Sequence, residues 1–163
     1  MFAPITIIEA GGLNTMCPLT LEGSFHSRTI SKVCGQLVGY ITTANFAMCS
    51  GAAQARTLTE TLPWHVRYES FEGTLPSITG ITFQIIGLSI QSAVCLYKST
   101  AAAPARYIYH IAGGEVTNVP WVEMSPIPRF EENVNCPPVI RFQGNGIPTV
   151  PGETAKIRVR LVQ

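Results

Sequence analysis

The feature that most constrains this chain is the period of its hydrophobic pattern, which is two. In the closing "TAKIRVRLVQ", Ile157, Val159 and Leu161 alternate with Lys156, Arg158 and Arg160. Side chains two apart share a face in an extended strand, so one face lies on a core and the other meets water. "LTLEGSFHS" repeats the pattern, setting Leu19, Leu21, Gly23 and Phe25 against Thr20, Glu22, Ser24 and His26. There is no long apolar stripe at helical spacing and no N-cap leading into an amphipathic run. Short β-branched and aromatic runs bounded by Gly, Pro, Asn or Ser recur instead, as strands require.

"ISKVCGQLVGYIT" and "ITFQIIGLSI" read as further strands, each with an internal Gly that marks a bulge or a close backbone approach. Residues 5–9, 94–98, 106–111 and 139–143 are weaker strand candidates. Between Val119 and Pro138 stand Pro120, Pro126, Pro128, Pro137 and Pro138, and proline offers no N–H to a ladder, so that stretch reads as loop. Roughly eight or nine strands with little or no helix predict an all-β antiparallel sandwich, or its barrel-like variant. A chain of 163 residues suits one domain spanning 1–163, long enough to bury about 70% of its unfolded surface.

Charge and composition narrow the partners. The formal charge is +1, so no whole-molecule field draws in DNA, RNA or anionic lipid. All ten acidic residues are Glu, which excludes EF-hand loops and aspartic chemistry. Charged residues make up only 13%, against about 25% in an ordinary soluble domain, and a long disordered tail does not fit such a composition. No apolar run approaches the ~18 residues that a transmembrane segment needs. The start, "MFAPITIIEAGG", lacks the basic region and cleavage site of a secretory leader, so either the chain is cytosolic or an export signal lies outside this sequence.

The five cysteines, at 17, 34, 49, 95 and 136, form no C-x-x-C pair and have no His at metal-ligand spacing. They read as two disulfides and one leftover thiol in an oxidising compartment, with the pairing left open.

The chemically suggestive residues favour a structural account. In "LPWHVRYESFEGTLP" an extended chain puts Trp64, Val66, Tyr68 and Ser70 on one face and His65, Arg67, Glu69 and Phe71 on the other. A His and a Glu four apart in a strand are ~13 Å apart, too far for a base and its orienting acid. "EGSFHS" offers Ser24, His26 and Glu22, but it is not G-x-S-x-G and brings no oxyanion hole. Cys34 lies in an apolar pattern beside Gly35, which predicts a buried, inert thiol. His26, His65 and His110 lack the spacing of metal ligands, and Glu69 with Glu72 or Glu131 with Glu132 reads as ordinary loop acids. No catalytic residue, cofactor or metal is therefore expected. The surfaces available to a partner are the basic row Lys156, Arg158 and Arg160, with Arg141 on a neighbouring strand, and the aromatics Trp121, Tyr107 and Tyr109. They would suit a cell-wall polymer, a glycan or a protein partner.

The blocks "CPLTLEGSFHSRTISKVCGQLVGYIT", "TETLPWHVRYESFEGTLPSITGITFQIIG" and "CLYKSTAAAPAR" resemble a family of small secreted actinobacterial proteins of unknown function. The family pattern runs C-P-x-T-L-E-G-S-F-H-S, L-P-W-H through G-T-L-P, C-L-Y-[KR]-S-T, and a late C-P before a β-rich tail. The resemblance implies export, an all-β domain, and no catalytic residue to carry over. Cys34 stands where the family pattern has Ser, which implies that it is the odd thiol. The matching cysteines imply pairs Cys17–Cys49 and Cys95–Cys136, each contributing about 3–4 kcal/mol through the loop it closes. The expectation is a secreted, disulfide-stabilised structural or binding module at or outside the cell surface. The rivals are a self-assembling surface or virion-decoration protein acting as a homo-oligomer, and a hydrolase with dispersed His, Glu and Ser residues.

Overall fold

A strand that is apolar on one face needs a second layer to cover that face, and this chain supplies it by rolling its long strands into a ring. A computed structural model describes residues 2–9, 14–51, 55–120, 127–130, 135–146, 150 and 157–159. The strands are β1 (Phe2–Glu9), β2 (Asn14–Phe25), β3 (Leu37–Phe46), β4 (Ser50–Gly51), β5 (Ala55–Thr57), β6 (Trp64–Thr74) and β7 (Ser77–Ile86). They continue with β8 (Ser89–Ser92), β9 (Cys95–Lys98), β10 (Ala105–Ala112), β11 (Glu115–Pro120), β12 (Ile127–Pro128) and β13 (Val139–Gly146). A 3-10 turn at Thr59–Thr61 is the sole helical element among the described residues.

Around the ring run β1, β2, β3, β6, β7, β10, β11 and β13, each antiparallel to the next, and β13 returns to pair with β1. The expected all-β antiparallel fold is present, in the barrel-like of the two layouts. Its long strands follow one another around the ring in chain order, as in an up-and-down barrel. β12 continues the pairing of β11 along β13, with Val119 opposite Gly146 and Ile127 opposite Ile140. β5, β8 and β9 form a separate small sheet.

The inward face carries Leu19, Leu21, Ile41, Trp64, Val66, Phe83, Ile85 and Phe142, all buried, in one core with Leu88, Ile90 and Tyr97 of the small sheet. Full burial of each such aliphatic or Phe side chain stabilises the fold by roughly 1.5–3 kcal/mol. β2 alternates as its sequence implies. Gly23 and Gly39 let β2 and β3 approach closely: a methyl at Gly23 would run into the Tyr40 carbonyl oxygen, and one at Gly39 into that of Ser24.

Several expectations are corrected. "ISKVCGQLVGYIT" becomes strand only at Leu37; Cys34 lies in a turn, exposed and unpaired, where a buried thiol was expected. The turn needs Gly35 at φ +82°, and that conformation breaks the strand. "ITFQIIGLSI" is two strands, because Gly87 at φ +90° carries the chain from the barrel into the small sheet. A bulge between Tyr68 and Ser70 reverses the alternation on β6, so Phe71 packs against the core while Ser70 is exposed. The proline-rich stretch 119–138 contains β12, whose Ile127 is fully buried. In the last segment the expected alternation holds over the described residues 157–159: they pair with β11 through an Arg158–Glu115 bridge, Ile157 and Val159 pack on the core and Arg158 is exposed.

The disulfides are Cys17–Cys49 and Cys95–Cys136. The first ties β2 to the segment that leaves β3. The second ties β9 of the small sheet to the segment entering β13, where Arg129 Nη1 donates to the Cys136 carbonyl at 2.8 Å.

Candidate functional site

The two ends of the barrel differ. Where β6 begins, Trp64 is 1% exposed, and its Nε1 donates to Thr61 Oγ1 at 2.8 Å. The 3-10 turn holds that acceptor in place, since Thr61 Oγ1 donates to the Leu58 carbonyl at 2.7 Å. β7 passes through Gly87 into the small sheet at this end, whose buried Leu88, Ile90 and Tyr97 extend the core. The end is shut.

At the opposite end β2 finishes and β6 turns into β7, and there the core opens into a cleft of about 990 Å³. Tyr68, Ile81, Phe83 and Tyr109 form its floor, with Phe71 and Ile78 on the β6–β7 hairpin as a wall. A second cavity of about 250 Å³ reaches into the barrel among Leu21, Ile41, Val66, Ile85 and Tyr107. Phe25 and Tyr109 line both spaces. Phe25 sits over Phe83 with ring centroids 5.5 Å apart and edge-on to Tyr109 at 6.3 Å, so it partitions the outer cleft from the inner one.

The β2–β3 connection, residues 26–36, runs past this opening. Its far end is clipped to β6, with Gly35 N–H donating to the Tyr68 carbonyl at 2.8 Å and Tyr68 N–H to the Gln36 carbonyl at 3.0 Å. Ile30 is tucked against the core, so the polar residues beside it face outward. His26, Arg28, Lys32 and Arg158 stand along the cleft, and no acidic side chain lines it among the described residues. Lys32 Nζ lies 5.8 Å from the centre of the Phe71 ring. Arg158 reaches Glu115 at 3.3 Å while its side chain stays 81% exposed.

The phenols beneath this rim resist ionisation. Burial pushes Tyr109 up to about 12. Tyr107 is raised well above the usual phenol value, first by burial and then by the neighbouring Tyr109. Tyr68 is raised as well, by burial and by the nearby Cys34 thiol. The floor is therefore uncharged at neutral pH, and the charged side chains lining the cleft are cationic.

The residues expected to form a partner surface are placed differently. Tyr107 is 7% exposed and turns inward, as does Tyr109, so neither forms an outer platform for a sugar. Arg158 is on the rim; Trp121, Lys156 and Arg160 lie outside the described residues. Arg141 is on β13 opposite Ile8, whereas Arg158 bridges to β11.

Glu22, Ser24 and His26 are exposed, Glu22 and Ser24 bordering the inner cavity and His26 the cleft, and His26 meets Tyr40 edge-on at 4.7 Å. His65 meets the other side of Tyr40 at 5.2 Å. Glu69 accepts from Arg106 Nε at 2.9 Å through both carboxylate oxygens; Glu131 and Glu132 lie outside the described residues. No cluster of three or more metal-ligating side chains occurs among the described residues, and no helix among them is long and apolar enough to cross a membrane.

Sequence reasoning missed Arg28, Lys32, Phe71 and Ile78. The signal lay in "SRTISK", a polar, basic run around a single Ile, directly after a strand whose inward residues end on Phe25. Compared with family models, curated proteins and solved structures, the chain matches none.

Proposed function

We propose that this chain is a disulfide-stapled binding module that works outside the cytoplasm, and that the open end of the barrel is its binding site. The cleft is the observation that carries this reading: about 990 Å³ of concave space with an apolar floor, opposite an end filled by Trp64 and the buried residues of the small sheet. Small-molecule sites are concave and mostly apolar, with a few polar groups to orient the ligand, and run to roughly 300–1,000 Å³. The two disulfides support an oxidising location, since cytosolic thiols are kept reduced. The module binds its ligand without converting it.

A thermal-melting screen of lipids, glycans and cell-wall fragments tests the proposal. A ligand at a hundred times its Kd stabilises the fold by about 2.7 kcal/mol, a rise of several degrees in Tm. Ile78→Trp, which fills the cleft from its wall, should abolish the rise. If no compound class shifts Tm, or if the shift survives Ile78→Trp, the open end is not the binding site.

A further inference from the structure

We infer that the ligand is a free, single-chain anionic amphiphile, with its acidic head at the rim and its hydrocarbon chain directed past Phe25 into the barrel. The inference rests on the reading of the open end as a binding site. Net charge is only +1, with 11 basic residues against 10 acidic, so cations gathered along one cleft with no acid lining it are a local feature. Arg28 and Lys32 come from the β2–β3 connection and Arg158 from the far end of the chain, and the fold brings all three to the same opening.

Below them the cleft floor is neutral, and the inner cavity carries one acid, Glu22, among mostly apolar side chains, which adds a repulsion against any second anionic group. Tyr68, Phe83 and Tyr109 keep the floor uncharged and apolar, so a second charged group placed there would lose its hydration without gaining a partner. A ligand with one anionic end and a long apolar remainder matches this division. A guanidinium and an ammonium can both donate charge-assisted hydrogen bonds to a carboxylate. The inner cavity, only about 250 Å³ and reached beside Phe25, admits a slender chain and excludes a bulky body.

The experiment compares three probes of equal chain length, each kept monomeric below its micelle-forming concentration or solubility limit: laurate, 1-dodecanol and dodecyltrimethylammonium. Binding to the full chain is measured by calorimetry, with phosphatidylglycerol vesicles as a fourth arm. The expected result is one saturable laurate site, at least tenfold tighter than dodecanol, with no binding of the cationic probe.

Arg28→Gln combined with Lys32→Gln changes two exposed side chains, and an unchanged Tm will show that the fold is intact. The pair should weaken laurate about tenfold, the scale of a charge-assisted hydrogen bond, and leave dodecanol unaffected. Equal binding of laurate and dodecanol, insensitive to the double variant, overturns the anionic head while leaving the open end a binding site. Binding to vesicles without binding to monomeric laurate overturns the free amphiphile in favour of a membrane surface. If none of the probes binds, the inference fails, and the screen of other compound classes decides separately whether the open end binds anything.

Discussion

Cys34 shows how much one residue depends on its backbone. Its neighbours Val33 and Leu37 are apolar, yet Gly35 takes a left-handed turn and leaves the thiol in water beside the clipped end of the β2–β3 connection. A thiol reagent should therefore modify one cysteine per folded molecule, and Cys34→Ser should remove that reaction while changing stability by less than about 0.5 kcal/mol. A second reactive thiol would mean that a disulfide is open. The buried phenols give a prediction of opposite character. Tyr109 holds its proton to about 12 when folded, whereas an unfolded tyrosine ionises near ~10. Above pH ~10 the unfolded chain gives up a proton that the folded chain keeps, so Tyr109's contribution is full below ~10 and lost as pH rises to ~12. Its slope is about 1.4 kcal/mol per pH unit. Urea midpoints should fall across that window, with tyrosinate absorbance appearing as the chain unfolds. A flat midpoint across it would contradict the burial of this ring.

Among the elements, the small sheet depends most on a covalent tie. Cys95–Cys136 closes a separation of 41 residues and links β9 to the approach to β13. Replacing both cysteines by Ala should cost about 3–4 kcal/mol, read as a lower urea midpoint. A loss below about 1 kcal/mol would show that packing of Leu88, Ile90 and Tyr97 holds the sheet without the bridge. The elements also separate what was legible from what was not. β2 could be read directly, because Leu19 and Leu21 are buried in alternation with Thr20 and Glu22, and the series ends on Phe25, which is partly exposed and lies over Phe83. β6 was legible as far as Tyr68, after which the bulge moves Phe71 to the other face, and nothing local announces a bulge. The break at Gly87 was hidden because the residues on both sides are buried, one set in the barrel and the other in the small sheet. Ile127 was lost among prolines. The cleft was illegible for a different reason: its cations come from opposite ends of the chain, and only the closed ring makes them neighbours.

For the whole molecule, the decisive contact joins β1 to β13, in a register running from Ile5 opposite Gly144 to Glu9 opposite Ile140. Every other long-strand pairing in the ring links elements that follow one another among the long strands; this one joins the first to the last. Without β1, the ladder positions that it occupies on β2 and β13 would be unpaired, and unpaired strand edges recruit other chains. Deleting residues 1–9 should therefore raise the average mass measured by light scattering, in proportion to protein concentration. An unchanged mass would mean that β2 and β13 find each other without the missing strand. The seam also bears on how the protein is handled. A bulky fusion set directly against Phe2 crowds the one stave that keeps the cask tight, so a tag placed elsewhere is expected to give the clearer preparation.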